Sequence, residues 1–502
     1  MPEPEPVFNG RTHLRTATMA AMSDRTRRAN SMGALVCLAA MTWLQATRPL
    51  AHAADLTPNE LIRQLMADRP PNLILIVADD LGYGDLGSYG QTNIHTPHLD
   101  RLAAEGMRFT QFYAGSSLGA PSQAALLTGL DSGHVPLTVS ERPVLKASVP
   151  TLAAVLRQGE YQTGLIGKWA LGYEIPNEPP VGAPHEHGFD EWLGTLGTAR
   201  SQDYYPTYLW RSTRNGLRTN HVVVLDSNLD GQRGAYSPDY FTMAATNYIR
   251  GSRYEPFFLY LSYPTPHANL DLTLSTLNGM EAPSDIPYTQ KDWPQAEKNK
   301  AAMITRLDRS VNLLMKQIRK YNLETNTVIL FTSDNGPHSQ GGNDAGFFAS
   351  AGPFRGEKGD LLEGGLRVPL IAYAPGLIPS GVVSTQVWAA LDLLPTLADI
   401  AEVQPPRGLD GLSFKATLMG EVETNHHDHL YWELPRVGQA IRQGRWKAIK
   451  PLDGLPLELY DLDSDPGESN NVAADHPDVV AQLDSLLTSR RAKGRAPRPK
   501  NP

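Results

Sequence analysis

The sequence predicts an α/β fold: a large, mainly parallel sheet flanked by helices, with a small antiparallel α+β subdomain towards the C-terminus. Three observations carry this. Apolar runs recur that stop abruptly at polar residues, namely "NLILIVADD", "PFFLYLSYPTPH" and "NTVILFTSDNGPH". Such runs read as strands buried on both faces, with their carboxyl ends left for polar work. Between them lie helical stretches: in "AAMITRLDRSVNLLMKQIRK", Met303, Leu307, Val311 and Leu314 recur at three- to four-residue spacing and form one apolar stripe. Strands alternating with helices build a parallel sheet, and its ligands sit beyond the carboxyl ends of the strands. From about Gln404 the character changes. "YWELPRVGQAIRQGRWKAIK" and "LELYDLDSDPGESNNVA" read as short strands joined by turns, followed by a last helix and a basic, Pro-rich tail.

Taken in chain order, "RTRR" at residues 25–28 precedes an uncharged run from Gly33 to Ala46 and an A-x-A site at Ala51–Ala53. This pattern predicts a secretory signal over residues 1–53, cleaved before Ala54, with export to a periplasmic or extracellular space. The apolar run is too short to span roughly 30 Å of hydrocarbon, so no stable membrane insertion is expected after cleavage. Arg27 and Arg28 leave a twin-arginine route open. A lead-in follows over 54–70, then the main domain over 71–403, the C-terminal subdomain over 404–490 and a flexible basic tail over 491–502. Cys37 is the only cysteine and lies inside the expected signal. The exported chain would therefore have no disulfide, no thiolate metal site and no cysteine nucleophile.

Composition narrows the function. With 502 residues, 41% hydrophobic and 20% charged, the chain has ample material for a large core and is neither a coiled coil nor disordered. Its net charge is −8, and losing residues 1–53, with six arginines against three acids, makes the remainder more negative still. Nucleic acid is excluded as an expected partner because no basic field faces a phosphate backbone.

The candidate site comes from the strand ends. Asp79 and Asp80 follow one apolar run, and Asp334 and Asn335 follow another. Taken singly, an Asp after a strand is most often a cap or turn residue. An adjacent pair matched by a second strand ending in "SDNG" points to convergence, and hard carboxylate and amide oxygens suit Ca²⁺ or Mg²⁺ in preference to zinc.

These stretches, together with "TPHLDRLAAEGMRFTQFYAGS", "PSQAALLTG", "GLIGKWALG", "HGFDEWLG", "FRGEKGDLLEGGLRVPLI" and "LDLLPTLADIA", resemble in order the type I, arylsulfatase-like sulfatases of the alkaline phosphatase superfamily, over roughly residues 71–490. The resemblance implies a calcium site at Asp79, Asp80, Asp334 and Asn335, where the ion acts as Lewis acid and template. It also implies sulfate neutralisation by Lys168 and Lys358 and assistance to the leaving-group oxygen by His267. The family signature is CxPxR, whose cysteine, or serine in some members, is converted to the formylglycine nucleophile. Counting back from Pro121 places Gly119 at that position. Gln123 stands where the family has arginine, and Ala170 where it has a histidine that contacts the nucleophile. Glycine has no side-chain carbon to oxidise, so no formylglycine is expected. Ser116, Ser117 and Ser122 are out of the required spacing.

Three readings follow. One is a degenerate or very weak sulfuric ester hydrolase that keeps its calcium and sulfate pocket. A second is a calcium-dependent hydrolase that activates water directly against a sulfate, phosphate or other ester. The third is a pseudoenzyme that binds a glycan or another anionic small molecule. Aromatics of the loop Thr198–Asn220 are candidates for stacking on a sugar or aryl ring, and equally for packing.

Overall fold

The computed structural model describes residues 69–137, 142–175, 178–214, 220–452 and 454–494. The expected signal over 1–53, nearly all of the lead-in, and residues 495–502 of the expected tail lie outside the described residues. No helix among the described residues is long and apolar enough to cross a membrane.

The main sheet is built on β1 (Asn72–Asp79), which is buried along its whole length. Its other strands are β2 (Met107–Tyr113), β3 (Gln162–Trp169), β4 (Glu191–Leu196), β5 (Tyr208–Ser212), β6 (His221–Val224), β7 (Phe257–Pro266), β8 (Thr327–Ser333), β9 (Arg367–Tyr373), β10 (Val382–Ser384) and β11 (Trp388–Ala389). Their order is β10-β2-β9-β8-β1-β7-β3-β4-β5-β6, with β11 also pairing β2. The centre, from β8 through β1, β7 and β3 to β4, is parallel. Antiparallel pairing enters where β9 lies between β8 and β2, and in β4-β5-β6. The expected mainly parallel sheet is thus present with mixed flanks.

Register makes the site. Ala78 of β1 lies opposite Ser333 of β8, and Asp79 lies opposite Pro266 of β7. The residues that follow, Asp80, Asp334 and His267, therefore leave the sheet at one level. Gly167 of β3 lies opposite Ser262 of β7 at φ +112°, and a Cβ there would fall 1.9 Å from the Ser262 carbonyl oxygen. Only glycine permits that approach, which brings Lys168 to the same edge.

The helices follow their stop signals. Helix α1 (Pro97–Glu105) starts on a proline, whose missing N–H costs nothing in the first turn, and ends at Gly106. Helix α2 is Gly119–Thr128 and α3 is Ser237–Ser252. Helix α4 (Gln295–Lys320) buries Met303, Leu307, Val311, Leu314 and Ile318, the stripe anticipated from spacing. It begins six residues before the expected Ala301 because Pro294, and not the first apolar residue, is the boundary.

The second sheet is antiparallel throughout: β12 (Leu430–Leu434), β13 (Gly438–Gln443), β14 (Trp446–Pro451) and β15 (Glu458–Asp461). Helix α5 (Pro477–Gly494) covers it with Leu483 and Leu487. Phe414 and Leu418, between the two sheets in sequence, pack into the core of the larger one.

A buried charged seam joins the two sheets. Lys447 on β14 lies 2.9 Å from Glu363 and 2.9 Å from Glu468, and the side chains of Lys447 and both acids are fully buried. Glu363 also accepts from Tyr113 at 2.7 Å and from Arg367 at 3.2 Å. Beside this seam, His427 Nε2 faces both oxygens of the buried Asp392 carboxylate at 2.8 and 2.9 Å. Burial lowers the imidazole pKa, but Asp392 more than offsets this and the net shift is upward. The pair therefore contributes stability that is fully present below the unfolded histidine value of about 6.5 and is lost as pH rises through the higher folded value. Thermal melts are expected to show His427→Gln more destabilising near pH 6 than near pH 9; an equal effect at both would contradict the pairing.

Candidate active site

Asp79 and Asp80 leave β1, and Asp334 and Asn335 leave β8. Asp80 has φ +65°, a left-handed conformation that Asp tolerates better than most residues. The turn is closed by the Asp80 N–H donating to Asp334 Oδ1 at 3.0 Å and by Asn335 Nδ2 donating to Asp80 Oδ1 at 2.7 Å. Lys168 Nζ lies 2.6 Å from Asp79 Oδ2 and 3.9 Å from Asp334 Oδ2. Lys358, from the loop before β9, donates to Asp80 Oδ2 at 2.8 Å. His267 Nε2 is 3.6 Å from that same oxygen. All seven residues anticipated from the strand ends and flanking motifs thus meet in one buried cluster.

The electrostatics are those of a site short of positive charge. Three carboxylates face two lysines. Burial, then the neighbouring Asp79, push the Asp334 carboxyl well above the ordinary range. Burial also opposes the charged form of Asp80, yet the Lys358 ammonium above all holds its pKa below the ordinary value. For Lys168, burial is outweighed by Asp79, Asp334 and Asp80, which raise its pKa. Burial lowers that of His267.

The donor set fits a hard divalent cation. Asp79 Oδ1 and Asn335 Oδ1 are buried with no hydrogen-bond partner. An orphaned buried oxygen costs about 1–3 kcal/mol, and an ion would relieve both. Ligand atoms of Asp79, Asp80 and His267 lie within 4.8 Å of one another. A second acidic group, Asp131, His134 and Asp410, already receives positive charge from Arg490 of α5 at 3.3 Å to each acid. That group clasps the last helix.

Gly119 opens α2 at the rim of the cluster. A Cβ built there would fall 2.8 Å from Asp334 Oδ2, 3.3 Å from Lys168 Nζ and 3.9 Å from Asn335 Oδ1, so the position faces the site. One turn on, Gln123 is turned inward to the scaffold. Its Oε1 accepts from the Ala170 N–H at 2.9 Å, and its Nε2 donates to the Tyr260 hydroxyl at 3.1 Å and to the Lys168 carbonyl at 3.3 Å. Gln123 and Ala170 are therefore partners of each other, and together they tie α2 to the end of β3. Ser122 accepts from the Gly115 N–H at 3.1 Å, and Ser116 from the Leu118 N–H at 3.4 Å.

One further residue belongs to the site, and one expected near it does not. His338, buried at 2% exposure, places Nε2 3.7 Å from Asp80 Oδ2. It sits in the "SDNGPH" stretch, three residues after Asn335, and that adjacency to the strand end was the available signal. Tyr204, from the loop whose aromatics were candidates for ligand stacking, is instead fully buried, with its hydroxyl 2.7 Å from the carbonyls of both Pro264 and His267. In the same loop Tyr208 and Trp210 donate to Glu174.

A large, mainly parallel sheet with carboxylates, lysines and a histidine at its strand ends, and a small antiparallel sheet after it, defines an alkaline-phosphatase-like hydrolase fold. Within it, the sulfatase family pattern matches residues 71–403, and a pattern described as N-sulphoglucosamine sulphohydrolase, C-terminal, matches 357–493. The chain belongs to the sulfatase family. It is 34% identical to arylsulfatase A of Bos taurus, over 83% of this chain and 86% of that one. It is 28% identical to the N-acetylgalactosamine-6-O-sulfatase of Bacteroides thetaiotaomicron, over 84% and 93% respectively. The solved structure of Ps i-CgsB in complex with k-i-k-neocarrahexaose matches with a TM-score of 0.70 and 27% identity, covering 86% of this chain and 94% of that one.

Proposed function

We propose that the chain is an exported sulfatase-family protein that binds a divalent cation, Ca²⁺ or alternatively Mg²⁺, and the sulfate group of a glycan or another anionic ester, but hydrolyses that ester at most residually. The observation that carries this reading is Gly119: the position that faces Asp334, Lys168 and Asn335 has no side chain. Asp79, Asp80, Asp334 and Asn335 would hold the ion, which when bound supplies Lewis-acid polarisation of a sulfate oxygen. The chain's own groups do the rest. Lys168 and Lys358 neutralise anionic oxygens, and His267, whose ring Nδ1 is 2.6 Å from the Ala268 carbonyl, presents Nε2 to the pocket.

A sugar-borne sulfate is favoured by the kinship to a relative named for N-acetylgalactosamine-6-O-sulfate and to a structure holding a neocarrahexaose. The alternative reading, in which a water takes the vacated nucleophile position, is not separated from this one by space, since a site 2.8 Å from Asp334 Oδ2 is at hydrogen-bonding distance for a water; turnover separates the two.

Calorimetric titration of the chelator-stripped protein is expected to show one Ca²⁺ site, with binding abolished in Asp79→Asn/Asp334→Asn. Absence of binding by Ca²⁺ and Mg²⁺ alike would overturn the cation reading.

A further inference from the structure

One imidazole of the pocket has no role in the reading so far. His338 lies in the loop leaving β8, and its Nδ1 is 2.9 Å from the Gln340 N–H, which donates to it. A ring nitrogen that accepts carries no proton, so in the neutral ring the proton is on Nε2. That Nε2–H faces the Pro266 carbonyl at 3.4 Å and Asp80 Oδ2 at 3.7 Å. His267 is arranged the other way. Its Nδ1 donates to the Ala268 carbonyl at 2.6 Å, which leaves a lone pair on Nε2, 3.6 Å from the same Asp80 oxygen. The two rings are 5.8 Å apart. Asp80 Oδ2 thus lies 3.7 Å from an imidazole nitrogen that carries a proton and 3.6 Å from one that carries a lone pair, each ring fixed in its tautomer by the protein backbone.

We infer that His338 is a positioning residue of the cation site, an N–H donor whose direction is locked by Gln340 and which orients the Asp80 carboxylate. The inference rests on the cation reading of the preceding section. Its physical content is a balance at one oxygen. The His267 lone pair repels Asp80 Oδ2, and the Lys358 ammonium, 2.8 Å away, attracts it from a long and flexible stem. His338 is 2% exposed and held at both ring nitrogens, so it supplies a donor of fixed direction. At 3.7 Å its effect on Asp80 is that of an oriented dipole and not of a formed hydrogen bond. Asp80 Oδ1 is meanwhile set by Asn335, so both oxygens of this ligand have an assigned orienting group. Partners hydrogen-bonded to a metal ligand typically contribute about 10- to 100-fold to metal affinity, and a dipole at 3.7 Å stands at the low end of that range.

The test compares wild type, His338→Gln and His338→Phe, each stripped with EDTA, by Ca²⁺ calorimetry, by melting in EDTA, and by ¹⁵N NMR of the imidazole nitrogens. The Gln amide can place an N–H at the same end of the side chain, whereas Phe keeps the ring and loses the donor. His338→Phe is expected to bind Ca²⁺ about 10-fold more weakly, and His338→Gln within about threefold of wild type. The wild-type His338 signal is expected to show an unprotonated Nδ1. Phe and Gln variants that both match wild type, or that lose affinity equally alongside equally lowered melting, would overturn the positioning role. A protonated Nδ1 in the wild type would overturn it independently of any variant's folding. Wild type without any Ca²⁺ binding sinks the cation reading itself and this role with it, an outcome seen before a variant is made.

Discussion

Gly119→Cys alone, produced with a formylglycine-generating enzyme, is expected to leave arylsulfate hydrolysis at background. The triple variant Gly119→Cys, Gln123→Arg, Ala170→His is expected to exceed it by at least about 100-fold in kcat/KM. Restoring a nucleophile restores little if nothing orients it, since residues acting as one unit are not additive. The structure adds a reason why the two supporting changes belong together. Gln123 Oε1 accepts from the Ala170 N–H at 2.9 Å, so the two positions are in direct contact, and arginine at 123 also removes the acceptor of a buried backbone donor. A side chain at 119 also requires Asp334 Oδ2 to move from 2.8 Å. That oxygen is the free end of a side chain, and a bound cation would draw it away. A single variant as fast as the triple would refute the role given to positions 123 and 170.

Lys447→Ala is expected to cost about 3–5 kcal/mol of stability, read from urea unfolding. The ammonium is fully buried between Glu363 and Glu468, each at 2.9 Å, and its removal leaves two buried carboxylates facing each other. Burial raises the Glu468 pKa, whereas Lys447, then Arg367 and Arg442, overcome burial to lower that of Glu363, so the lysine is the largest single influence keeping Glu363 charged. Glu363 lies in the segment that carries Lys358, and the Gly359 N–H donates to the Ser117 carbonyl at 2.9 Å. Loss of the seam is therefore expected to reach the pocket. A change below about 1 kcal/mol would place this triad among ion pairs that contribute nothing net.

The strand-end cluster was legible because an apolar run that stops at two carboxylates states both the strand and where it ends. Asp79, Asp80, Asp334 and Asn335 needed only parallel register to meet, and β1 and β8 supply it. The helix stripe of α4 was legible for the same reason, its period being local. Contacts between distant positions were not. Gln123 and Ala170 are 47 residues apart, and nothing in either neighbourhood announces that the amide of one caps the N–H of the other. Lys447 and Glu363 are 84 apart, and each alone reads as a surface charge. His338 was written in the same stretch as Asp334 and Asn335, yet a single histidine after a turn carries no period or pair to separate it from core filler. Tyr204 shows the converse: an aromatic loop suggests ligand stacking, and only the fold reveals that its hydroxyl is committed to the end of β7.

The central claim, a cation and sulfate pocket without its nucleophile, is tested most directly by turnover of 4-nitrophenyl sulfate with the purified wild-type protein in excess Ca²⁺. The account predicts a rate indistinguishable from that of Asp79→Asn/Asp334→Asn purified in the same way. Hydrolysis well above that control, lost on adding chelator and lost in Lys168→Ala, would contradict it.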